Sequence, residues 1–408
     1  MVLLPAGMTM LLLCLICCNL SAQSAPAGKV AAATSPAVRG PAGSASQSGV
    51  KAAALQGWPV FHGRNDLSGQ ATGPLPARLT LAWKFKTGAA VASSPAIADG
   101  RVFVGSADEN VYCIELRSGQ KLWSFKTQGS VDSAPCVIDD AVYVGSSDAC
   151  LYALSAASGE LKWKIETGGK ISGGVNFARD GGRTYILFGS YDNCLYCLDA
   201  SSGEEVWKFQ TRDSINGSPA VSQGKVVFGG CDATLHAISL QDGSAISQVK
   251  TEAYIPGSPA MSGDLAFVGN YEKLFTCADM SDGQILWTFQ GGGAFFAAPA
   301  VGRDVVIAAC RDKNIYCLSR DKGRRKWTFK TKGQVDSSPV IVGEHVVVCS
   351  GDGRVYLLKL SNGSQVWSYE IGEGIVSSPA VAAGYVVVGC NDGSLYAFAA
   401  DAQSQPAP

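Results

Sequence analysis

The 408-residue chain carries 33 Lys and Arg against 34 Asp and Glu, a formal net charge of −1, so it lacks the basic excess that nucleic-acid phosphates demand. Charged residues make up 16%, hydrophobic residues 47%, and 48 residues are Gly, which excludes a disordered or coiled-coil chain and suits a large, turn-rich globule. At roughly 150 residues per domain the length asks for two or three domains, unless the chain is a repeat array that closes on itself.

Residues 8–20 are almost wholly apolar, and the small residues Ser21, Ala22, Ser24 and Ala25 follow, as a signal peptidase requires. The run is too short to span a membrane, and no Lys or Arg precedes it, the first being Lys29. Residues 1–22 are therefore expected to be a signal peptide that exports the chain to a periplasm or cell envelope, with outer-membrane association as the narrower expectation. A lipid anchor would fall at Cys17 or Cys18, but Ile16 and Cys17 stand where lipoprotein signals carry Gly, Ala or Ser. Membrane contact is expected only through such an anchor. Residues 23–56 are rich in Ala, Ser, Pro and Gly and read as a flexible tether, residues 57–400 as the folded domain, and 401–408 as a disordered tail.

From residue 83 the chain repeats. Trp83, Trp123, Trp163, Trp207, Trp287, Trp327 and Trp367 recur at steps of 40, with one step of 44 and one of 80. The step of 80 hides a unit in which Ser247 takes the Trp position. A second row, Asp108, Asp148, Asp192, Asp232, Glu272, Asp312, Asp352 and Asp392, keeps the same spacing, so there are eight units, and the four extra residues fall near 178–183.

Each unit reads as four short strands. The first starts at a small-residue, Pro-containing segment such as Ser93-Ser94-Pro95, the second and third are apolar runs such as Val102–Gly105 and Val111–Ile114, and the fourth carries the Trp. Short strands joined by Gly and Asp turns every 40 residues predict an all-β, eight-bladed β-propeller of four-stranded antiparallel blades; a solenoid or two sandwiches are the alternatives. Apolar residues at consecutive positions fit strands covered on both faces by neighbouring blades. The last unit ends at Phe398 without a Trp strand, while Trp83 precedes the first unit. Residues 83–86 are thus expected to pair beside 395–398 and close the ring, removing an exposed sheet edge.

Most repeated residues have structural work to do. Gly119, Gly159, Gly203, Gly243, Gly283, Gly323 and Gly363 precede the Trp strand, where a turn needs positive φ. The Asp row lies in the hairpin between strands two and three, where a carboxylate bonds the backbone two residues on; the competing reading is a metal ring or a catalytic carboxylate. The Trp row is expected to pack between blades, with ligand stacking as the competing role. Of 14 Cys, three lie in the leader. Cys194 and Cys197 resemble a metal or redox pair, but residues three apart on a strand face opposite ways, and Cys113, Cys197, Cys277 and Cys317 share a slot with Ala153, Ala237 and Ala397. They are expected to be buried thiols outside any disulfide framework. The three histidines, His62, His236 and His345, have no repeat-consistent partners.

The stretch from Leu198 to Phe209, with Ser337-Ser338-Pro339-Val340 and Gly389 to Phe398, resembles the pyrroloquinoline-quinone-type propeller repeat with its tryptophan-docking motif. The lead-in Gly57-Trp58-Pro59-Val60-Phe61-His62-Gly63 is also similar to the opening of bacterial members, and the likeness covers about 57–400. That family includes quinoprotein alcohol dehydrogenases and non-enzymatic propellers of the BamB type. For its enzymes the resemblance implies a disulfide between adjacent cysteines and a calcium held in larger insertions. Here the only adjacent pair is Cys17-Cys18, and the largest departure from the repeat is four residues. The expectation is a non-catalytic scaffold without cofactor or metal, whose partners are envelope proteins. A quinone-dependent oxidoreductase or a small-ligand-binding propeller is the alternative.

Residues that vary between units at one register are the functional candidates, because the fold does not explain them. Just before the small pair of strand one stand Ala92, Asp132, Ser172, Asn216, Pro256, Phe296, Asp336 and Val376. Tyr254, Ile255, Pro256, Tyr271, Phe295 and Phe296 form an aromatic sector beside the Trp-less unit, flanked by Lys170, Arg212, Asp213 and Arg311. This sector is expected to bind a protein segment or small ligand, the competing reading being a plugged channel mouth or packing that compensates for the missing Trp. The turn Arg320–Lys326 is basic and is expected to be a solvated loop on the opposite face.

Overall fold

The structure is a computed structural model and describes residues 57–400. The expected signal peptide, tether and tail and the lipidation candidates Cys17 and Cys18 lie outside the described residues.

Eight blades of four antiparallel strands form the eight-bladed β-propeller anticipated from the repeat, the seventh extended by Gln70–Ala71 pairing parallel with its inner strand, and the described residues contain no helix. In chain order the blades span 96–126, 136–166, 176–210, 220–250, 260–290, 300–330, 340–370 and 380–399, the last completed by Thr80–Lys86. Trp83 pairs with Ala397, Lys84 with Tyr396 and Phe85 with Leu395, as expected for ring closure. The extra residues of blade 3 lengthen its first hairpin, Asn176–Asp180 with Arg183–Gly189, which turns at Gly181 and Gly182. The second and third strands are buried along nearly their whole length, whereas the fourth alternates between buried and exposed positions.

Blades dock through the Trp row. The indole of Trp83 donates to the carbonyl of Leu116 in the next blade at 2.7 Å, and a Cβ on Gly119 would lie 2.7 Å from its ring carbons. Trp123, Trp207, Trp287 and Trp327 repeat the bond at the same offset of 33 residues, and Trp163 does so at 37 because of the insertion in blade 3. In the Trp-less unit the Ser247 hydroxyl reaches the equivalent carbonyl, that of Met280, at 2.7 Å. The polar half of the contact survives there and the aromatic half is lost.

The Asp row clips five of the eight hairpins to the link arriving from the previous blade. Asp108 Oδ1 accepts from the Asn110 amide at 3.0 Å, while Oδ2 accepts from the Tyr112 hydroxyl at 2.7 Å and the Gly88 amide at 2.6 Å. Asp148 and Asp352 repeat all three contacts. Asp192, Asp312 and Asp392 likewise hold Tyr196, Tyr316 and Tyr396, and in blade 4 the Tyr is replaced by His236, 2.8 Å from Asp232. Blade 5 breaks the row: Glu272 is exposed, and Asn270 Oδ1 accepts the hairpin amide of Leu274 instead. Burial opposes ionisation of Asp108, Asp148, Asp312 and Asp392, but donated hydrogen bonds outweigh it and hold these carboxyls below the usual range.

The Ser-Ser-Pro starts form a hydrogen-bonded hoop around the axis. The second Ser accepts from the matching amide of the preceding blade, as in Ser218 N–H to Ser258, Ser338 N–H to Ser378 and Ser378 N–H to Ser94, at 2.8–2.9 Å. Ala134 and Gly174 omit the hydroxyl where Phe61 lies: a Cβ on Gly174 would come within 3.0 Å of Phe61. The segment 57–71 threads across the inner strands and meets their edge amides in turn. Ile97, Val137, Val221, Met261, Val301 and Ile341 donate to the carbonyls of Trp58, Pro59, Asn65, Asp66, Ser68 and Gly69. Unpaired inner-edge groups are costly when buried, and this plug satisfies them in blade after blade.

Candidate functional site

In all eight blades the hairpin between strands two and three bonds the incoming link, for example Tyr191 N–H to Lys170, Tyr271 N–H to Tyr254 and Arg311 N–H to Ala294. These loops therefore share one face. At its centre the channel opens as a shallow funnel with a cavity of about 180 Å³. Seven of the eight variable-register residues line it (Asp132, Ser172, Asn216, Pro256, Phe296, Asp336 and Val376), and Phe61 of the plug also lies in its lining.

The structure joins part of the expected aromatic sector. Tyr254 stacks on Tyr271 with centroids 4.5 Å apart, and Tyr271 meets Phe296 edge-on at 6.2 Å. The Arg311 guanidinium lies 3.3 Å from the Phe296 centroid and forms a bidentate pair with Asp336 at 2.7 and 2.8 Å. Tyr271 remains 40% exposed, a large aromatic surface presented to solvent.

Phe295 does not belong to this surface. It is 1% exposed and packs against Phe275 and Tyr316, because its register is the one at which Val131, Ile171, Ile215 and Ile255, each in the link between two blades, cover the Gly that ends strand two of the preceding blade. Ile255 is buried for the same reason. The three other flanking residues also stand apart: Lys170 lies 4.2 Å over the Tyr191 ring, Asp213 accepts the Ser214 amide at 2.7 Å, and Arg212 lines a separate cleft of about 500 Å³ between blades 3 and 4 with His236, Ile246 and Ser247. Asp132, Asn216 and Asp336 were visible as variable positions, yet only the ring geometry shows that they face a common space.

Asp132 stands at the rim, where burial raises its carboxyl pKa against the opposing hydrogen bond from Ser130 and the charge of Lys170. Asn216 Nδ2 donates to Cys231 Sγ at 3.2 Å, leaving Oδ1 buried without a partner. None of the eleven described cysteines forms a disulfide, and Cys113, Cys197, Cys277 and Cys317 each face the Trp strand, with burial pushing their pKa up to about 12.

The family profile described as outer membrane protein assembly factor BamB matches residues 77–172, 151–245 and 231–405. The chain belongs to this family. No curated protein sequence matches it. BamB from Moraxella catarrhalis superposes with a TM-score of 0.67 at 17% identity, covering 81% of this chain and all of the other. Quinohemoprotein alcohol dehydrogenase from Comamonas testosteroni superposes at 0.73 and 14% identity, covering 88% and 82%. The computationally designed Ika8 protein superposes at 0.69 and 16% identity, covering 77% and 97%. At these identities the likeness is one of fold. The funnel does not match the arrangement that the resemblance implies for the family's enzymes. No cysteine lines it, no two described cysteines are adjacent, Asp336 is already paired with Arg311, and the cavity is smaller than the roughly 300–1,000 Å³ that buries a cofactor-sized ligand.

Proposed function

We propose that the protein is a non-catalytic interaction scaffold of the bacterial cell envelope, and that it docks a partner protein on the funnel face through Tyr254, Tyr271, Phe296 and Arg311. The observation that carries this reading is the aromatic and arginine cluster in blades 5 and 6, half-buried except for the exposed Tyr271, which the repeat does not require. Tyr and Arg presented together supply the amphipathic contact area on which interface energy concentrates. Envelope location is supported by the family description and by the leader composition. A photo-crosslinking residue at Tyr271, with Lys322 in the basic turn of the opposite face as control, tests the reading in cells. Capture of one defined envelope protein from 271 and not from 322 is expected; equal capture from both, or from neither in a normally folded protein, contradicts it.

A further inference from the structure

The turn Arg320–Lys326, expected to be a solvated loop, belongs to a larger basic corner. Blade 6 carries nine Lys or Arg against three Asp over residues 300–330, a formal +6, whereas each other blade lies between −3 and +1. Six of these cations, Arg303, Arg320, Lys322, Arg324, Arg325 and Lys326, gather at the end of the blade away from the funnel hairpins. Its two turns are bonded together: the Arg320 amide donates to the Asp304 carbonyl and the Arg320 guanidinium to the Arg303 carbonyl, both at 3.2 Å. All but the half-buried Arg320 are exposed, and among the described residues none of the six has a carboxylate within ion-pair distance. Blade 5 adds an apolar element beside them. Its outer strand, Gln284–Gln290, is the one outer strand of the eight without a charged residue, although charge is what normally protects a sheet edge. A bulge between Ile285 and Trp287 interrupts its alternation and leaves Ile285 48% and Leu286 51% exposed. Trp287 donates its indole N–H to the Arg320 carbonyl at 3.0 Å, so this apolar pair lies within two residues of a side chain seated on the basic turn.

We infer that this corner of blades 5 and 6 seats on an anionic phospholipid headgroup surface, its cations meeting phosphates while Ile285 and Leu286 enter the apolar boundary beneath them. Clusters of about 4–8 Lys and Arg are drawn to such surfaces, and adjoining apolar side chains add buried area. The long-stemmed cations have no partners to fix them, which suits a fluid array of headgroups; a protein hot spot is better served by a fixed donor such as Arg311, held by Asp336 on the funnel face. Nearby acids do not cancel the charge. Asp304 and Asp321 lie in blade 6, Asp279 and Asp282 in the adjoining turn accept the Ser281 and Gln284 amides at 2.9 and 3.0 Å, and Asp264 is paired with Lys225, which leaves the cations in excess. The inference does not rest on the docking reading, and it adds an orientation. Turns between strands three and four lie at the end of each blade opposite the funnel hairpins, so a propeller seated on this corner holds the funnel away from the lipid.

Cosedimentation of the full chain with vesicles tests the inference, using phosphatidylcholine and phosphatidylglycerol in equal parts against phosphatidylcholine alone. The readout is the ratio of the two affinities, compared between variants that share the same N-terminal residues. A preference of roughly tenfold or more for the anionic vesicles, lost at high salt, is expected. Arg324→Glu with Lys326→Glu should abolish it with thermal unfolding unchanged. Arg117→Glu with Lys121→Glu, the same charge change at the equivalent turn of blade 1, should leave it intact. Ile285→Ser with Leu286→Ser should weaken binding to the anionic vesicles severalfold while the preference persists. No preference in the wild type, equal losses in the two charge variants, a folded Arg324→Glu, Lys326→Glu protein that keeps the preference, or an apolar variant that binds as tightly as the wild type would each overturn the inference. Polyglutamate that binds the wild type through blade 6 in the absence of any vesicle preference would overturn it in favour of an acidic protein segment.

Discussion

Replacing Gly203 by Ala isolates what Trp docking contributes to holding the ring together. Gly203 has φ +76°, and the added Cβ would lie 2.8 Å from ring carbons of Trp163, whose indole donates to Ala200 at 3.2 Å. Gly224 is the control, because its φ is +73° and nothing lies within 4 Å of its Cβ position. Both substitutions incur a left-handed backbone penalty of about 1–2 kcal/mol. Gly203→Ala must in addition push back a packed indole, at about 1–3 kcal/mol for overpacking, and loosen a hydrogen bond worth about 1 kcal/mol. Equilibrium urea unfolding should therefore place Gly203→Ala about 1–4 kcal/mol below Gly224→Ala, with unchanged slope. Equal losses in the two variants would show that the indole is free to move aside and that docking does not stabilise the ring.

The pH limits of stability follow from the Asp and Tyr rows. Asp108, Asp148, Asp312 and Asp392 titrate below their unfolded value of 3.8, so the folded chain binds those protons less readily, and their contribution is full above about pH 4 and lost as pH falls through the lower folded values. Burial raises Tyr316 to about 12 and lifts Tyr112 and Tyr356 above their unfolded value of 10.0, so theirs is full below about pH 10 and lost above it. Asp312→Asn should flatten the acid limb measured by denaturant titration, and an unchanged limb would count against the clip. Burial also lowers the pKa of His62 below 6.5, while its ring nitrogens lie 2.7 and 2.8 Å from the carbonyls of Leu67 and Pro339. His62→Ala should cost about 1–3 kcal/mol, because the neutral ring donates its one N–H to one of those buried carbonyls and its loss strands that acceptor, whereas a loss within experimental error would mean that the plug does not hold the ring. With a thiol reagent under native conditions only the half-buried Cys231 should react readily among the eleven described thiols, the rest following after denaturation; fast native reaction of several would contradict their burial.

Period and turn chemistry made the architecture readable. Trp, Gly and Asp recur in register and repeat the same contacts in most blades, and the orphan Trp83 strand had one place to go. Within the site, reading failed where neighbouring residues serve different masters. Phe295 and Phe296 look alike in the chain, but Phe295 falls on the register that covers a strand-two Gly of the preceding blade, and Phe296 on the one that faces the funnel. Comparison with Val131, Ile171 and Ile255 carried that distinction. The plug had no such signal, because residues 57–71 occur once and their partners are single backbone groups spread over blades up to 277 residues away in sequence. Glu272 also passed as a member of the Asp row, although its longer side chain leaves the clip to Asn270.

The central claim is that the rim cluster, and not the packing beneath it, captures a partner. The most direct measurement is affinity purification of the doubly substituted Tyr271→Ser, Phe296→Ser protein from envelope extracts, beside the wild type, together with its thermal unfolding. Loss of the wild-type partner at an unchanged unfolding temperature is the expected result. Retention of the partner, or a collapse of stability like that expected from replacing buried Phe295, would contradict it.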